Sequence, residues 1–250
     1  MFKCAFCVFA AAAAIVSPVA ATTVIANFGG TAANAASFTF VRPMLTITAQ
    51  ARSFSVLPSA LTRLSQLSAT AMQVRRTTPG IGVLGGASPE QIDTNEAGRR
   101  EGLLLTGSQD FSIRGLRLSF VDNDDTLQLY GVAGTSLVPL GFPGVIRAGL
   151  GRPNSGLSRL SGQATGPAFA GTVNAGTQQL TLVTPTRYFT GFFFTTREPG
   201  NLAYLGTLGQ GYRIDAITAG VPESATWAML IAGFGVVGAA NRRRRISVAA

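Results

Sequence analysis

Short runs in which apolar and polar side chains alternate recur along this chain, and a period of two is the spacing of a strand, whose successive side chains point to opposite faces. Met44-Leu45-Thr46-Ile47-Thr48-Ala49 is the plainest of them. Others are Phe111-Ser112-Ile113, Leu116-Arg117-Leu118-Ser119-Phe120, Leu127-Gln128-Leu129-Tyr130, Gln179-Leu180-Thr181-Leu182-Val183, and residues 188–196 with the triplet Phe192-Phe193-Phe194. Clusters of Gly, Pro, Asn and Asp separate these runs, and the 250 residues hold 30 Gly and 12 Pro, a density that interrupts long helices. Many short strands with frequent turns predict an all-β body, an antiparallel β-sandwich of jelly-roll-like type rather than an α/β fold. Residues 57–74 are ambiguous: Leu57, Leu61, Leu64, Leu67 and Met72 approximate one helical face, but Ser and Thr fill the rest. Residues 32–37 and 139–158 read as loops by composition, the second with a candidate strand at 145–150. No fixed-period repeat is present.

At 25.9 kDa the chain holds one domain of ordinary size with short processing segments. Histidine is absent, Lys3 is the single lysine, and Cys4 and Cys7 are the two cysteines. The main body therefore lacks the side chains for imidazole metal sites, Ser-His-Asp or Cys-His nucleophiles, Ser-Lys dyads and lysine Schiff bases.

The two ends carry the address. Met1-Phe2-Lys3 is a short cationic start, residues 4–16 are apolar, and Ser17-Pro18 breaks the run before Val19-Ala20-Ala21. Small residues at Val19 and Ala21 suit signal peptidase, so residues 1–21 read as a signal peptide cleaved after Ala21, too short in its apolar part to span a bilayer. Cleavage leaves a mature chain without cysteine, stabilised by packing alone. Cys4-Ala5-Phe6-Cys7 spells a CxxC but has no βαβ context. Near the other end, residues 224–241 are uncharged, and as a helix rising 1.5 Å per residue they would cover about 27 Å, close to a hydrocarbon core of about 30 Å. Arg242, Arg243, Arg244 and Arg245 follow at once and hold that end in the cytoplasm by the positive-inside rule, with Trp227 at the opposite interface. A single C-terminal transmembrane helix is expected, and no nucleic-acid role.

Pro222-Glu223, Trp227, a Gly-rich apolar run and a terminal arginine cluster, in that order, resemble the PEP-CTERM sorting signal, which spans residues 221–246 here and leaves residues 22–220 as the body. The resemblance implies export by a Gram-negative bacterium that makes exopolysaccharide, an intermediate held in the inner membrane, and processing near Pro222-Glu223 by an exosortase, then delivery to the cell surface or medium. Ser224 stands where the second proline of that motif usually does. Gly233, Gly235 and Gly238 form a literal GxGxxG inside the apolar segment, where they suit close helix packing rather than a phosphate. A second GxGxxG, Gly80-Ile81-Gly82-Val83-Leu84-Gly85, follows Pro79 and precedes Gly86 and Pro89, so it reads as a glycine-rich strand or loop rather than a dinucleotide site.

Of the 20 basic residues, Lys3 and the four terminal arginines belong to the ends, as does Glu223 of the 11 acidic ones; 15 arginines then face 10 carboxylates, and the mature body is near +5. Arginine pairs bidentately with carboxylate and sulfate, which suits an acidic exopolysaccharide as neighbour, although scattered surface charge for solubility is the plainer reading. The carboxylates gather at Asp93-Thr94-Asn95-Glu96 with Glu101, and at Asp122-Asn123-Asp124-Asp125. As an EF-hand from Asp122 the second cluster fails, with Leu127 for the turn glycine and Ala133 for the bidentate glutamate. Asp122, Asp124 and Asp125 are thus either a hairpin turn between residues 118–120 and 127–129 or a calcium site. The order of Gly-Ile-Gly-Val, Gln-Ile-Asp, a glutamate and Val-Asp-x-Asp-Asp also resembles bodies of other PEP-CTERM proteins, with Thr94 where that pattern often has Asn.

These features point to a non-enzymatic exported surface or matrix protein, associated with exopolysaccharide or biofilm and needing no cofactor. The competing readings are a secreted carbohydrate-active enzyme working through a carboxylate pair and a carbohydrate- or calcium-binding module. Trp227, the one tryptophan, lies in the sorting segment, which leaves sugar stacking to four Tyr and the Phe set.

Overall fold

The computed structural model describes residues 21–56, 60–68, 72–85, 90–93, 100–120, 127–140, 165–166, 169–174, 179–183, 187–196, 211–222 and 234–235. Fifteen strands run in chain order among them: β1 Ala21–Asn27, β2 Ala33–Ala35, β3 Ser37–Arg42, β4 Leu45–Phe54, β5 Gln73–Thr77, β6 Gly80–Leu84, β7 Ile92–Asp93, β8 Arg100–Ser119, β9 Gln128–Ala133, β10 Ser136–Pro139, β11 Thr165–Gly166, β12 Phe169–Asn174, β13 Gln179–Val183, β14 Phe189–Thr195 and β15 Gly211–Pro222. Every pairing whose register is described is antiparallel. The fold is all-β, as the alternation predicts.

The 20-residue β8 organises the sheet. Its first half, to Gly107, lies between β4 and β14, and the order there runs β3-β4-β8-β14-β9-β10. Its second half, from Ser112, lies between β13 and β15, and the order there runs through β15 to β6, β5 and β2, with β1 also on β15. At the junction Ser108, Gln109 and Asp110 are exposed, where β8 carries extra residues against β14. Such an irregularity bends a strand and lets it pass from one layer to another. The Ser108 hydroxyl accepts from the Thr46 amide at 3.0 Å, and the Gln109 side-chain amide donates to the Met44 carbonyl, fixing the corner to the β3–β4 turn.

Both halves bury their inward side chains in one core. Ile47, Ala49, Leu103, Leu105, Phe192 and Phe194 come from the first half, and Val74, Ile81, Val83, Leu116, Leu118, Ile214 and Ile217 from the second. Edge-to-face rings hold its ends, Phe28 on Phe40 at 4.8 Å and Phe111 on Phe192 at 4.9 Å. The Phe triplet is apolar throughout because β14 is covered on both faces: Phe193 points away from this core into a second cluster with Phe54, Leu104, Tyr130, Val132 and Leu137. Leu61 and Leu67 close that cluster from outside, each contributing about 1.5–3 kcal/mol by burial. Residues 60–68 thus cover the sheet with a short 3-10 turn, Leu64–Gln66, in place of a regular helix. Gln66 Oε1 accepts from the amides of Thr62 and Arg63, both at 2.8 Å, and Met72 leaves the segment for the main core.

The strand readings at 44–49, 111–120, 127–130, 179–183 and 188–196 are each met by strand, with Met44 in a turn and Phe120, Leu127, Tyr188 and Thr196 just outside the strand ends. Two expectations are corrected. Residues 33–35 and 37 are strand rather than loop, because β2 pairs with β5 and β3 with β4. The hairpin across 118–120 and 127–129 does not form: Ser119 pairs with Arg213 and Gln128 with Thr195, so the two runs pair in different halves of the sheet. The candidate strand 145–150 lies outside the described residues. Among the described residues no helix is long and apolar enough to cross a membrane. Of the expected transmembrane segment 224–241, Phe234 and Gly235 are described; they are helical and exposed.

Two turns supply a paired test. Met44 follows Pro43 in the β3–β4 turn with φ of 66°, a position where glycine is favoured, and Gly134 in the β9–β10 turn has φ of 60° with no atom within 4 Å of a added Cβ. Relief or imposition of left-handed strain of about 1–2 kcal/mol, partly offset by unfolded-chain entropy, gives expected melting shifts of about +1 to +3 °C for Met44→Gly and about −1 to −3 °C for Gly134→Ala. Thermal melts of the two variants beside the parent check both signs.

Candidate functional site

Arg213 and Asp215 alternate on β15 with Tyr212 and Ile214, which face the core, so both polar side chains stand on the opposite face of the sheet. Neighbouring strands add polar groups to the same face: Arg75 and Thr77 from β5, Arg117 and Ser119 from β8. The chain at Glu90 and Gln91 lies over β6 on that face. It approaches so closely that a Cβ on Gly82 would stand 2.1 Å from the Glu90 carbonyl oxygen, which only glycine allows.

Arg213 is 4% exposed and every nitrogen of its guanidinium is engaged. Nε donates to the Glu90 carbonyl at 2.9 Å, Nη1 to Thr77 Oγ1 at 2.7 Å, and Nη2 to the Glu90 carboxylate. Its Cζ lies 4.1 Å from the centre of the Phe120 ring, a cation–π contact. Phe120 itself is left-handed, with φ of 57°. Arg75 completes the cluster, reaching Glu90 Oε1 at 3.2 Å and Asn34 Oδ1 at 3.0 Å. A buried guanidinium needs this degree of pairing, because an unmatched charge in the interior is strongly destabilising.

Asp215 is the second centre. Ser119 donates to its Oδ1 at 2.6 Å, Arg117 Nε stands 3.9 Å from Oδ2, and the Phe28 amide donates to its backbone carbonyl at 2.8 Å. Arg117 also donates to Asn27 Oδ1 at 3.3 Å. Burial pushes the Asp215 carboxyl up to about 6, against the Ser119 hydrogen bond and the Arg117 and Arg213 charges, which pull it down. Glu90 and Asp215 are each committed to arginine, and the cluster holds charge rather than presenting it; its chemical role on the described geometry is to fix residues 90–93 onto the sheet.

No family model matches the chain, and neither a curated protein nor a solved structure similar to it was found.

The residues singled out in the sequence fall mostly elsewhere. Ala21 is the first residue of β1 and Pro222 the last of β15, half-buried. Gly235 is the exposed helical residue noted above. Val19, Glu223, Trp227, Gly233, Gly238, Arg242, Arg243, Arg244 and Arg245 lie outside the described residues, as do Asp122, Asp124 and Asp125. Among the described residues no three His, Cys, Asp or Glu side chains converge as a metal site. The glycine-rich segment at 80–84 is strand β6, between β15 and β5, in keeping with the structural reading of its motif. The local signal for Arg213 and Asp215 is in Tyr-Arg-Ile-Asp-Ala, a period-two alternation with opposite charges two residues apart.

Stability should register Asp215. Its carboxyl ionises near 3.8 when unfolded and near 6 when folded, so folding takes up a proton in that window and the stability tied to the protonated form is whole below about pH 4 and lost as pH rises through 6. The melting temperature of the parent minus that of Asp215→Asn is therefore expected to fall between pH 4 and 6.5 and to level off above. A difference that rises over that range would show the carboxyl to be stabilised in its charged form.

Proposed function

We propose that this chain is an exported cell-surface or matrix protein with a PEP-CTERM sorting signal, processed by an exosortase and acting in the exopolysaccharide or biofilm layer without catalysis of its own. The body is a β-sandwich of jelly-roll-like type, made at the inner membrane as an anchored intermediate and then released to the surface. The observation that carries the reading is the extent of the compact body. Its first strand begins at Ala21 and its last ends at Pro222, and these two strands are neighbours in the sheet. Thr22–Pro222 forms one compact unit. Cuts after Ala21 and beside Pro222-Glu223 therefore fall at strand ends and leave the described strands of the body in place, whereas cuts a few residues further in would remove core residues such as Val24 or Val221.

Arginines that form no ion pair among the described residues support the acidic polymer as partner. Arg63 and Arg187 are exposed, and with Arg42 and Arg52 they form no ion pair among the described residues, while the ion pairs seen there, from Arg75, Arg117 and Arg213, lie on the opposite half of the sheet. Such cations draw a polyanion and lose it as salt rises.

In a host with an exosortase, mass spectrometry of the surface fraction is expected to give an N-terminus near Thr22 and a C-terminus near Pro222-Glu223, with the uncut form accumulating in the inner membrane when the exosortase gene is deleted. An intact Arg242–Arg245 tail on the surface protein would leave a plain membrane anchor instead. Calcium is expected to leave the melting temperature unchanged, since the Asp122–Asp125 cluster lacks a complete loop; a rise of several degrees that Asp124→Asn abolishes would assign a calcium site there.

A further inference from the structure

We infer that the unpaired edge of β3, with Arg42 at its end and Arg76 beside it, is where an acidic polysaccharide docks. This rests on the surface-protein reading above and deepens it by naming the place and the chemistry that receives the partner. Charge is divided unevenly along the body. Residues 22–89 hold five arginines and no carboxylate, whereas residues 90–222 hold ten of each. The whole positive excess therefore lies in the stretch that forms β1–β6. Of those five arginines, Arg75 shares the Glu90 carboxylate with Arg213, while Arg42 and Arg76 form no ion pair among the described residues.

Neutral groups hold both guanidiniums in place. Arg42 donates from Nη1 to the Val41 carbonyl at 2.9 Å and from Nη2 to the Asn27 carbonyl at 3.0 Å. Arg76 donates from Nε to the Phe28 carbonyl at 3.1 Å and from Nη2 to the Gly29 carbonyl at 2.9 Å, and its Cζ stands 5.9 and 5.5 Å from the ring centres of Phe38 and Phe40. Carbonyls and rings orient a cation without cancelling its charge. The two arginines are thus pre-organised on the consecutive residues 27–29, and a guanidinium has five N–H donors, more than these carbonyls take up. The strand beside them supplies a second kind of contact. Among the described strands β3 pairs with β4 alone. Its two-residue turn closes on Arg42 and Leu45 as a hydrogen-bonded pair, and such pairs alternate along a hairpin. Val41, Thr39 and Ser37 therefore turn their amides and carbonyls away from β4, and all three residues are exposed. In keeping with this, the Val41 carbonyl is met by Arg42, and the Thr46 amide opposite it by Ser108. Fixed guanidiniums beside outward backbone groups and two hydroxyls match a chain that carries carboxylates among many hydroxyls, since arginine takes a carboxylate bidentately. Single-stranded nucleic acid wants exposed aromatic platforms, whereas Phe40 is buried and Phe38 half-buried against Arg76.

Binding of the full chain, in detergent, to polygalacturonate at graded salt tests the site, with the Arg242–Arg245 tail common to every form. The parent is expected to bind polygalacturonate but not neutral dextran, and to bind less tightly as salt rises. Arg42→Gln with Arg76→Gln is expected to raise the Kd about tenfold, and removal of the same charge elsewhere, by Arg63→Gln with Arg187→Gln, about twofold. Ser37→Glu with Thr39→Glu changes exposed positions alone, keeps both arginines, and sets carboxylates on the edge. It is expected to weaken binding at least as much as the loss of Arg42 and Arg76, and so reads the site independently of any loss of fold in that variant. Equal losses in the two arginine doubles, with no loss in the glutamate form, would overturn the site while leaving the acidic polymer as partner. Failure of the parent to bind polygalacturonate would overturn the site and the acidic polymer together. Tighter binding of duplex DNA or of phosphatidylglycerol vesicles than of polygalacturonate would overturn the polysaccharide as occupant. The sorting reading stands or falls separately, on the termini found by mass spectrometry.

Discussion

The body depends on β8 having its backbone paired on both edges along two different halves of the sheet. Its 20 residues give β4 and β14 a partner at one end and β13 and β15 a partner at the other, and its bend at Ser108–Asp110 turns those neighbours toward a shared core. Leu103 and Leu105 before the bend, and Leu116 and Leu118 after it, lie in the same buried cluster. A strand in that position must be apolar on the inward side along both halves. Its outward side takes whatever covers it, which is why Leu104 meets Leu61 and Leu67 while Arg117 and Ser119 meet Asp215.

That division of the outer faces explains how charge is distributed. One half of the sheet is covered by residues 60–68 through apolar contact, and the other by residues 90–93 through Glu90 and Arg213. The second kind of cover demands matched hydrogen bonding, since a guanidinium taken from water keeps its stability only if its donors are satisfied. The three acceptors around Arg213, and the glycine that admits the Glu90 backbone, meet that demand together. Asp215, buried beside them, sits against a hydroxyl and two cations and still ionises late because desolvation is the larger effect.

Strand content was legible in the sequence because it is local: alternation at 44–49, 111–120, 127–130, 179–183 and 188–196 marks strands wherever they pair. Residues 57–74 stayed ambiguous because their leucines are spaced for one apolar face, and the covering segment 60–68, with its 3-10 turn at Leu64–Gln66, satisfies that spacing as well as a helix does. The apparent hairpin at 118–129 failed because turn residues between two alternating runs specify a reversal of the chain without specifying that the two runs pair.

What the sequence determined by itself is that the body is made of strands, that it holds no histidine, cysteine or lysine, and that its ends are unlike its middle. The tertiary structure alone decided which strands are partners, and therefore which polar residues meet. Arg213 and Glu90 are 123 residues apart and Ser119 and Asp215 are 96 apart. Period-two alternation tells a side chain which face of its own strand it occupies, but a strand's neighbours are chosen by burial summed over the whole sheet, and no local spacing encodes that sum.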